Sequence, residues 1–317
     1  MNVAYDLKLF STAALRDTPH AVVELHRDYI KAGCTVVTTA SYAVTRFYLR
    51  KVNEVDRVCE LAMRSVTLAK MARDAEGADE HSILIAGSVP PLGESYQHSG
   101  LSRDELKEQY AELISGLAGC DVYLCETMGT VAEGMLAVAM VRAAYPTARI
   151  WLSFVPRRAD QRESRVASGR VRLSAESCPI GEVVKAALQS GVEALLFNCS
   201  TPETVRLAII EARAALENER MGSRMARRTL RLGGYANSWE EVDTRGWSIE
   251  MNESGSGRGD QKAGGFVVRT DLSDELYACK VCEWIAEGAS IVGGCCGIGP
   301  EAMRCVCEQL RCRGETA

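Results

Sequence analysis

Three cysteines of this 317-residue sequence stand at the ends of two predicted buried strands. Cys199 lies near the end of EALLFNCS (193–200), and Cys295 and Cys296 close ASIVGGCC (289–296). Three thiolates form a soft ligand set that suits Zn²⁺ at about 2.3 Å and leaves its fourth tetrahedral position open. Because an open position is typical of catalytic zinc, these residues predict a catalytic rather than a structural metal site.

The chemistry of such a site follows from its charge. A zinc ion with three thiolate ligands is electron-rich, so it activates water poorly compared with an all-histidine site. It can instead hold an incoming thiol as thiolate, whereas a free thiol with a pKa of about 8.5 is only slightly ionised at neutral pH. The residues therefore predict alkylation of a bound sulfur by direct displacement at an electrophilic carbon, such as a sulfonium methyl group.

Two other interpretations of these cysteines stay open on the sequence alone. They could be buried packing residues, because a free cysteine behaves as a small hydrophobe, or Cys295 and Cys296 could form a redox pair. A disulfide between adjacent residues is strained, which disfavours the redox interpretation. The zinc interpretation requires both sulfurs to face inward, although neighbours on a regular strand face opposite ways. The flanking glycines would allow the necessary turn.

Composition and charge argue against several classes of function. The chain is 47% hydrophobic and 25% charged, as globular proteins are, and its net charge of −5 gives no support for nucleic-acid binding. No apolar run approaches the roughly 20 residues needed to cross a bilayer, which argues against a membrane protein. The N-terminal MNVAYDLKLF lacks a signal-peptide pattern, so we expect a cytoplasmic protein whose thirteen cysteines are reduced.

Seven short apolar runs predict strands that are covered on both faces. In chain order they are TVVTTASY (35–42), SILIAGSV (82–89), VYLCET (122–127), RIWLSF (149–154), EALLFNCS (193–200), TLRLGGYAN (229–237) and ASIVGGCC (289–296). Amphipathic helical patterns with polar or proline starts separate these runs. The alternation predicts an α/β fold, a (β/α)8 TIM barrel in a single domain over 1–317. An open doubly wound sheet is the alternative.

The count of elements predicts an irregular barrel. Eight helices, from 18–32 to 299–312, accompany only seven strong strands, so the first barrel strand is predicted to be missing or replaced at the N-terminus. Residues 3–9 (VAYDLKL) alternate weakly and are the candidate replacement. A gap of this kind would leave two unpaired strand edges, which favours association with a second copy and therefore a homodimer.

Polar groups end the predicted strands, while the middles of the strands are apolar. In a parallel barrel the carboxyl ends of the strands form the functional face, so we expect Glu126, Ser153 and Asn237 to share one rim with the cysteines. Asn237 has an alternative role as a turn residue that ends its strand. The polar insertions 157–176 and 242–265 are predicted to be solvated or mobile loops.

Two segments carry the three cysteines and form a specific pair, NCSTPETV (198–205) and GGCCGIGP (293–300). Further segments of the same kind are HRDYIKAGCTVVTTASY (26–42), AGSVPPLGESY (86–96), LCETM (124–128), YANSW (235–239) and RTDLSDELYA (269–278). In this order, the segments resemble the zinc-dependent homocysteine S-methyltransferase family. The resemblance covers nearly everything after about residue 7.

The resemblance implies a (β/α)8 barrel enzyme that transfers a methyl group from a donor to homocysteine, giving methionine. The three cysteines match the zinc ligands, and Glu126 matches the carboxylate that holds the cationic amino group of the substrate. Ser153 and Asn237 occupy positions suited to binding substrate or donor. The expected donors are the sulfonium compounds S-methylmethionine and S-adenosylmethionine, whose methyl carbon is already electrophilic, and betaine is disfavoured.

The sequence departs from the family pattern at three places. The family's first strand, with an Asp-Gly-Gly type turn that helps to seat homocysteine, has no counterpart here. Ala40 stands where the family usually has Asn, and Trp239 stands where Gly commonly follows Asn-Ser. Loss of the turn predicts weaker amino acid binding with the zinc ligands retained. A non-catalytic, degenerate zinc-binding barrel is therefore the alternative function, and a redox sensor at Cys295 and Cys296 is a third.

Overall fold

Strands and helices alternate through the described part of the chain. The computed structural model describes residues 12–160, 170–222, 229–241, 262–263 and 266–314. The candidate replacement strand 3–9 lies outside these residues, and so does almost all of the predicted loop 242–265.

The main sheet contains seven strands within the described residues, one for each predicted apolar run. They are β1 (Val36–Thr38), β2 (Leu84–Val89), β3 (Val122–Met128), β4 (Ile150–Phe154), β5 (Ala194–Asn198), β6 (Arg231–Ala236) and β7 (Ala289–Gly294). All neighbouring strands are parallel, and their spatial order is their order along the chain. This curled sheet confirms the predicted TIM-barrel-like fold. The doubly wound alternative was wrong, because its strand order would reverse partway.

Eight long helices accompany these strands in the described residues. They are α1 (Pro19–Ala32), α2 (Val58–Ala75), α3 (Arg103–Gly116), α4 (Val131–Ala144), α5 (Ile180–Ser190), α6 (Pro202–Gly222), α7 (Asp274–Ala286) and α8 (Pro300–Cys312). Polar side chains cap the first turns of some of these helices: Ser102 accepts from the Glu105 amide at α3, and Ser273 accepts from the Leu276 amide at α7. None of the helices described is long and apolar enough to cross a membrane.

The helices close a ring that the described strands leave open. Helix α8 packs against α1, and the Tyr29 hydroxyl on α1 donates to the Ile298 carbonyl just before α8 (2.8 Å). Strands β1 and β7 are the two ends of the sheet and are not paired with each other in the described residues. Thr38 and Ser290 on these end strands are accordingly exposed. The described chain thus has the predicted eight long helices and seven sheet strands.

The interior of the curl is apolar in its middle and polar at the carboxyl ends of the strands. Side chains alternate between the two faces of a strand, so every second residue points inward. The apolar inward set is Ala86, Val122, Leu124, Trp151, Ala194 and Leu196. Two residues further along β2, β3, β4 and β5, the same alternation reaches the polar residues Ser88, Glu126, Ser153 and Asn198, and Tyr235 on β6 joins them through its bond to Glu126.

The insertion 157–176 differs from its prediction as a solvated loop. Its described ends form a short antiparallel pair, Pro156–Arg158 with Val171–Leu173, which packs against α6. Residues 171–174 are buried because Val171 and Leu173 place apolar side chains in the helix layer. The prediction was therefore wrong for these residues, and 161–169 lie outside the described chain.

The glycine-rich strand β6 provides a test of the inner packing. A Cβ on Gly233 would collide with the Ile291 carbonyl oxygen of β7 and lie 2.8 Å from a Leu196 methyl group. We expect Gly233→Ala to lower the free energy of unfolding by about 1–3 kcal/mol in urea titrations, because backbone cannot move aside cheaply. Gly181→Ala on α5, where nothing lies within 4 Å of the added carbon, is the control and should be neutral or stabilising. Equal stability of the two variants would contradict this packing.

Candidate functional site

Three sulfur atoms meet at the carboxyl ends of β5 and β7. The Sγ atoms of Cys199, Cys295 and Cys296 all lie within 4.8 Å of one another, and those of Cys295 and Cys296 are 3.9 Å apart. Sulfurs bound at about 2.3 Å to one tetrahedral ion would be roughly 3.8 Å apart. The spacing of the three thiols therefore fits a single metal ion of this kind after small side-chain adjustments.

Local backbone geometry explains how two adjacent cysteines face the same way. Strand β7 ends at Gly294, before the predicted end of the strand, so Cys295 and Cys296 lie in the following turn where strand alternation no longer applies. The turn continues through Gly297 at φ +77°. Cys199 follows β5 at φ +53°, a conformation that is uncommon outside glycine and that concentrates at functional sites.

The thiol cluster concentrates negative charge. Hydrogen bonds from Cys295 and Cys296 hold the pKa of Cys199 well below its usual value. The bonds to Cys199, together with burial, raise the pKa of Cys295 and Cys296 well above theirs. The hydrogen bonds within the metal-free cluster therefore favour ionisation of Cys199 over that of Cys295 and Cys296. A soft divalent cation would replace the thiol protons, which makes the donor set suitable for zinc.

Glu126 is a buried carboxylate on β3 in the polar layer. Its Oε1 accepts from the Ser88 hydroxyl (2.6 Å), and its Oε2 accepts from the Tyr235 hydroxyl (3.0 Å). Burial raises the pKa of Glu126 to about 7, and the charge of Cys295 adds to the rise while the Ser88 and Tyr235 bonds oppose it. An ammonium group placed beside this carboxylate would favour its ionised form, so the residue is suited to bind an amino group.

Ser153 and Asn198 support the strand that carries Glu126. Ser153 Oγ donates to Asn198 Oδ1 (2.8 Å), and Asn198 Nδ2 donates to Thr127 Oγ1 (2.8 Å). Thr127 has φ +60° at a register shift between β3 and β4, so these bonds hold an irregular backbone next to the carboxylate. Ser153 is fully buried in this arrangement. A direct contact between Ser153 and a substrate stays a prediction.

An open pocket adjoins Cys199. Its volume is about 360 Å³, including the part open to solvent, and its lining includes Tyr96, Arg157, Cys199, Asn237, Glu240 and Glu241. Asn237 also closes a turn, because its Oδ1 accepts from the Trp239 amide (3.2 Å). Its position is therefore compatible with both of the roles predicted for it. Carboxylates and a guanidinium on the same lining give the pocket groups for both signs of charge.

Two tyrosines of the site were not singled out by the sequence analysis. The Tyr96 hydroxyl lies 3.0 Å from Cys199 Sγ, and the Tyr235 hydroxyl donates to Glu126. Both residues lie in segments that carried the family resemblance, so a signal was present. Strand alternation along β6 would have placed Tyr235 on the inner face. Tyr96 lies in a loop, where no periodicity indicates which side chain faces inward.

The fold and the site together define an α/β barrel-type enzyme with a three-thiol candidate metal centre at the carboxyl edge of its sheet. The model of the homocysteine S-methyltransferase family matches residues 2–310, and the chain belongs to this family. The predicted family is confirmed, and methyl transfer to homocysteine is the activity that this membership supports.

Individual relatives and solved structures agree with this assignment. Homocysteine S-methyltransferase of Escherichia coli (strain K12) is 29% identical over 309 residues, which cover 92% of this chain and 85% of the relative. Selenocysteine methyltransferase of Astragalus bisulcatus is 25% identical over 324 residues, which cover 93% of this chain and 84% of the relative. The metallated form of the E. coli homocysteine methyltransferase MmuM has a TM-score of 0.69 at 26% identity, covering 98% of this chain and 90% of that one. These relatives are named as enzymes, which gives no support to the degenerate, non-catalytic alternative.

The raised pKa of Glu126 predicts a gain in stability when the carboxylate is removed. The folded protein holds this proton more tightly than the unfolded chain, so stability is lost as the pH rises from about 4.5 to about 7, and the loss is complete above that. In metal-free, reduced protein we expect Glu126→Gln to be more stable than wild type at pH 8 by about 3 kcal/mol, from about 1.4 kcal/mol per pKa unit.

The measurement is thermal unfolding of both proteins at pH 5 and pH 8. The difference should shrink to about 1 kcal/mol or less at pH 5, because the folded protein still holds the Glu126 proton there and the unfolded chain has only begun to gain by losing it above about pH 4.5. Glu182→Gln, which changes an exposed carboxylate on α5, is the matched control. A Glu126→Gln variant less stable than wild type at pH 8 would contradict the burial argument.

Proposed function

We propose that this protein is a zinc-dependent homocysteine S-methyltransferase that uses a sulfonium donor, S-methylmethionine or S-adenosylmethionine, and makes methionine. The observation that carries the proposal is the cluster of Cys199, Cys295 and Cys296, with sulfurs within 4.8 Å of one another at the functional edge of the sheet. The metallated form of the E. coli relative supports a metal at this site, and the all-sulfur donor set favours zinc.

The division of labour in the site supports this reaction. When bound by the three cysteines, zinc supplies the positive charge that keeps the sulfur of homocysteine ionised at neutral pH. Glu126 would hold the substrate amino group, and Ser88 and Tyr235 would fix its two oxygens, as they do through their hydrogen bonds. Holding both ends of homocysteine aims its sulfur at one position and converts an encounter into an oriented reaction.

The transfer itself is a direct displacement. The sulfur of homocysteine, having lost its proton to solvent, attacks the methyl carbon of the sulfonium. The bond between that carbon and the donor sulfur breaks, and its electron pair leaves with the donor as a neutral thioether. No group on the protein needs to supply a proton to this leaving group, which agrees with a site built from thiols and one amino-binding carboxylate.

The pocket beside Cys199 supports a cationic donor. Glu240 and Glu241 line it, and the Glu241 carboxylate is held by the Thr204 hydroxyl (3.2 Å) and by the Arg158 guanidinium (3.2 Å). Two carboxylates stabilise a sulfonium by charge, and Arg157 on the same lining suits a carboxylate of an amino acid donor. Asn237 adds an amide to this lining and is proposed to contact donor or substrate.

The setting of the enzyme follows from the same chemistry. We place it in the cytoplasm, where a thiol cluster stays reduced. One domain over residues 1–317 would carry both the homocysteine and the donor sites. Its partners would be these small molecules, with no nucleic acid or membrane involved. The unpaired ends of β1 and β7 in the described sheet support association into a homodimer.

Removal of one thiol tests the proposal directly. We expect Cys295→Ala to lower zinc affinity by more than about a hundredfold. Loss of a metal ligand should cost more than loss of a residue that only hydrogen-bonds a ligand, which typically costs about tenfold to a hundredfold. Methionine formation from homocysteine, measured with each sulfonium donor in parallel, should fall below detection. Cys279→Ala changes an exposed cysteine on α7, so it is the matched control and should keep both zinc and activity. Wild-type protein that binds one zinc per chain and makes no methionine with either donor would contradict the proposal.

Charge at the pocket lining predicts the behaviour of the donor. We expect Glu240→Gln and Glu241→Gln each to raise the KM for the sulfonium donor by roughly threefold to tenfold, as exposed charges contribute about 1 kcal/mol. The KM for homocysteine should stay unchanged, because its amino group would be held at Glu126. Steady-state kinetics with one substrate varied at a time makes this comparison. Glu301→Gln on α8 is the control, and an equal change in both KM values would argue against a donor site here.

A further inference from the structure

Tyr96 is a buried tyrosine placed directly on one cysteine of the cluster. Its hydroxyl lies 3.0 Å from Cys199 Sγ, and only 4% of the residue is exposed. Its ring packs in a small apolar cluster with Val155 and Cys199, next to Cys295 and Cys296. A thiolate can only accept a hydrogen bond, so in the ionised cluster the tyrosine hydroxyl is the donor.

The fold holds Tyr96 in this position at some cost. The residue has φ +71°, in the left-handed region that aromatic side chains rarely adopt. The preceding residue is tethered, because the Ser95 hydroxyl bonds the Tyr42 hydroxyl (2.5 Å). Earlier in the loop, the Leu92 amide donates to the buried Glu133 carboxylate (3.0 Å). Two anchors in the segment that leads into a strained residue indicate that the contact with Cys199 has a function.

Cys199 differs from the other two cysteines in where it lies. It lines the pocket of the proposed donor together with Tyr96, whereas Cys295 and Cys296, although more exposed than Cys199, lie outside that lining. A sulfonium donor bound in this pocket would therefore meet two sulfur nucleophiles, that of homocysteine and that of Cys199. Transfer to Cys199 would form a protein thioether, release the donor as a thioether, and replace a charged zinc ligand with a neutral one.

We propose that Tyr96 protects Cys199 from methylation, so that the methyl group goes to homocysteine. Hydrogen bonding to a thiolate draws charge away from the sulfur and makes it a weaker nucleophile, whereas no such bond to homocysteine is required. Tyr96 is thus a positioning residue that acts through Cys199. This inference rests on the proposed function only for the identity of the natural methyl donor. Its test does not require methyl transfer to homocysteine.

The test measures methylation of Cys199 by peptide mass spectrometry in zinc-loaded protein. One arm uses S-methylmethionine without homocysteine, and the other uses methyl methanesulfonate, a small methylating agent that needs no donor site. In the second arm we expect Cys199 of the Tyr96→Phe variant to be methylated at least about tenfold faster than Cys199 of wild type. This factor corresponds to the loss of a hydrogen bond to a charged sulfur, worth about 1.4 kcal/mol. Zinc release should follow methylation with the same time course.

Two comparisons separate this role from a general loss of structure. Tyr145→Phe removes the hydroxyl of a tyrosine that donates to the Ile114 carbonyl between helices, and it should behave as wild type. Ser95→Ala leaves the Tyr96 hydroxyl in place but removes its neighbour's tether, and it should give an intermediate rate. Methylation of Cys199 at the wild-type rate in Tyr96→Phe would overturn the proposal. Absence of methionine formation by wild type would instead count against the proposed function, and the methyl methanesulfonate arm would still decide the role of Tyr96.

Discussion

The site depends on keeping three sulfur atoms close enough to bind one cation, and the end of strand β6 is what holds them together. The Cys199 amide donates to the Tyr235 carbonyl (3.2 Å), and the Cys295 amide donates to the Ala236 carbonyl (2.8 Å). Two residues after Ala236, the Ser238 amide donates to the Cys296 carbonyl (3.0 Å). Residues 235–238 therefore hold both cysteine turns by hydrogen bonds from the strand between them, so the backbone of the sheet keeps the three sulfurs close before a cation binds.

Most of the fold could be predicted from the sequence because its signals are local. Each apolar run became a strand of the sheet, and eight helical patterns became the eight long helices. The ends of strands were less predictable: the run 289–296 stops at Gly294, and the run 35–42 forms a ladder only over Val36–Thr38. Alternation cannot show where a chain leaves the sheet, since the residues of a turn look like those of a strand. The polar composition of 157–176 predicts a loop, yet Val171 and Leu173 at its described end are buried, because two apolar residues in a polar segment give too weak a periodic signal to indicate a strand.

In the candidate site as well, some residues could be located from local sequence signals and others could not. The cysteines and Glu126 stand at strand ends, so a parallel barrel brings them to one edge whatever the details of packing. Tyr96 reaches the cluster through a left-handed residue in a tethered loop, and Thr127 supports the carboxylate through a register shift. Such conformations are stable only when several distant contacts act together, as do the Ser95 bond to Tyr42 and the Asn198 bond to Thr127. No window of sequence contains both partners of these contacts.

The two ends of the proposed homocysteine site are supported from opposite sides of the sheet. Its sulfur end depends on β6 and on the Tyr277 hydroxyl, which donates to the Gly293 carbonyl (2.7 Å). Its amino end depends on the chain after β1, because Thr39 Oγ1 accepts from the Ser88 amide (3.0 Å) and Ser41 Oγ donates to the Ser88 carbonyl (3.1 Å). Ser88 in turn donates to Glu126. The unpaired ends β1 and β7 lie between these two supports, so the opening in the described sheet separates them without removing either. Strand β6 nevertheless joins the two ends, because the Tyr235 hydroxyl donates to Glu126 while the Tyr235 carbonyl accepts from the Cys199 amide. Binding of the amino group and gathering of the thiols are therefore coupled through one residue of the sheet.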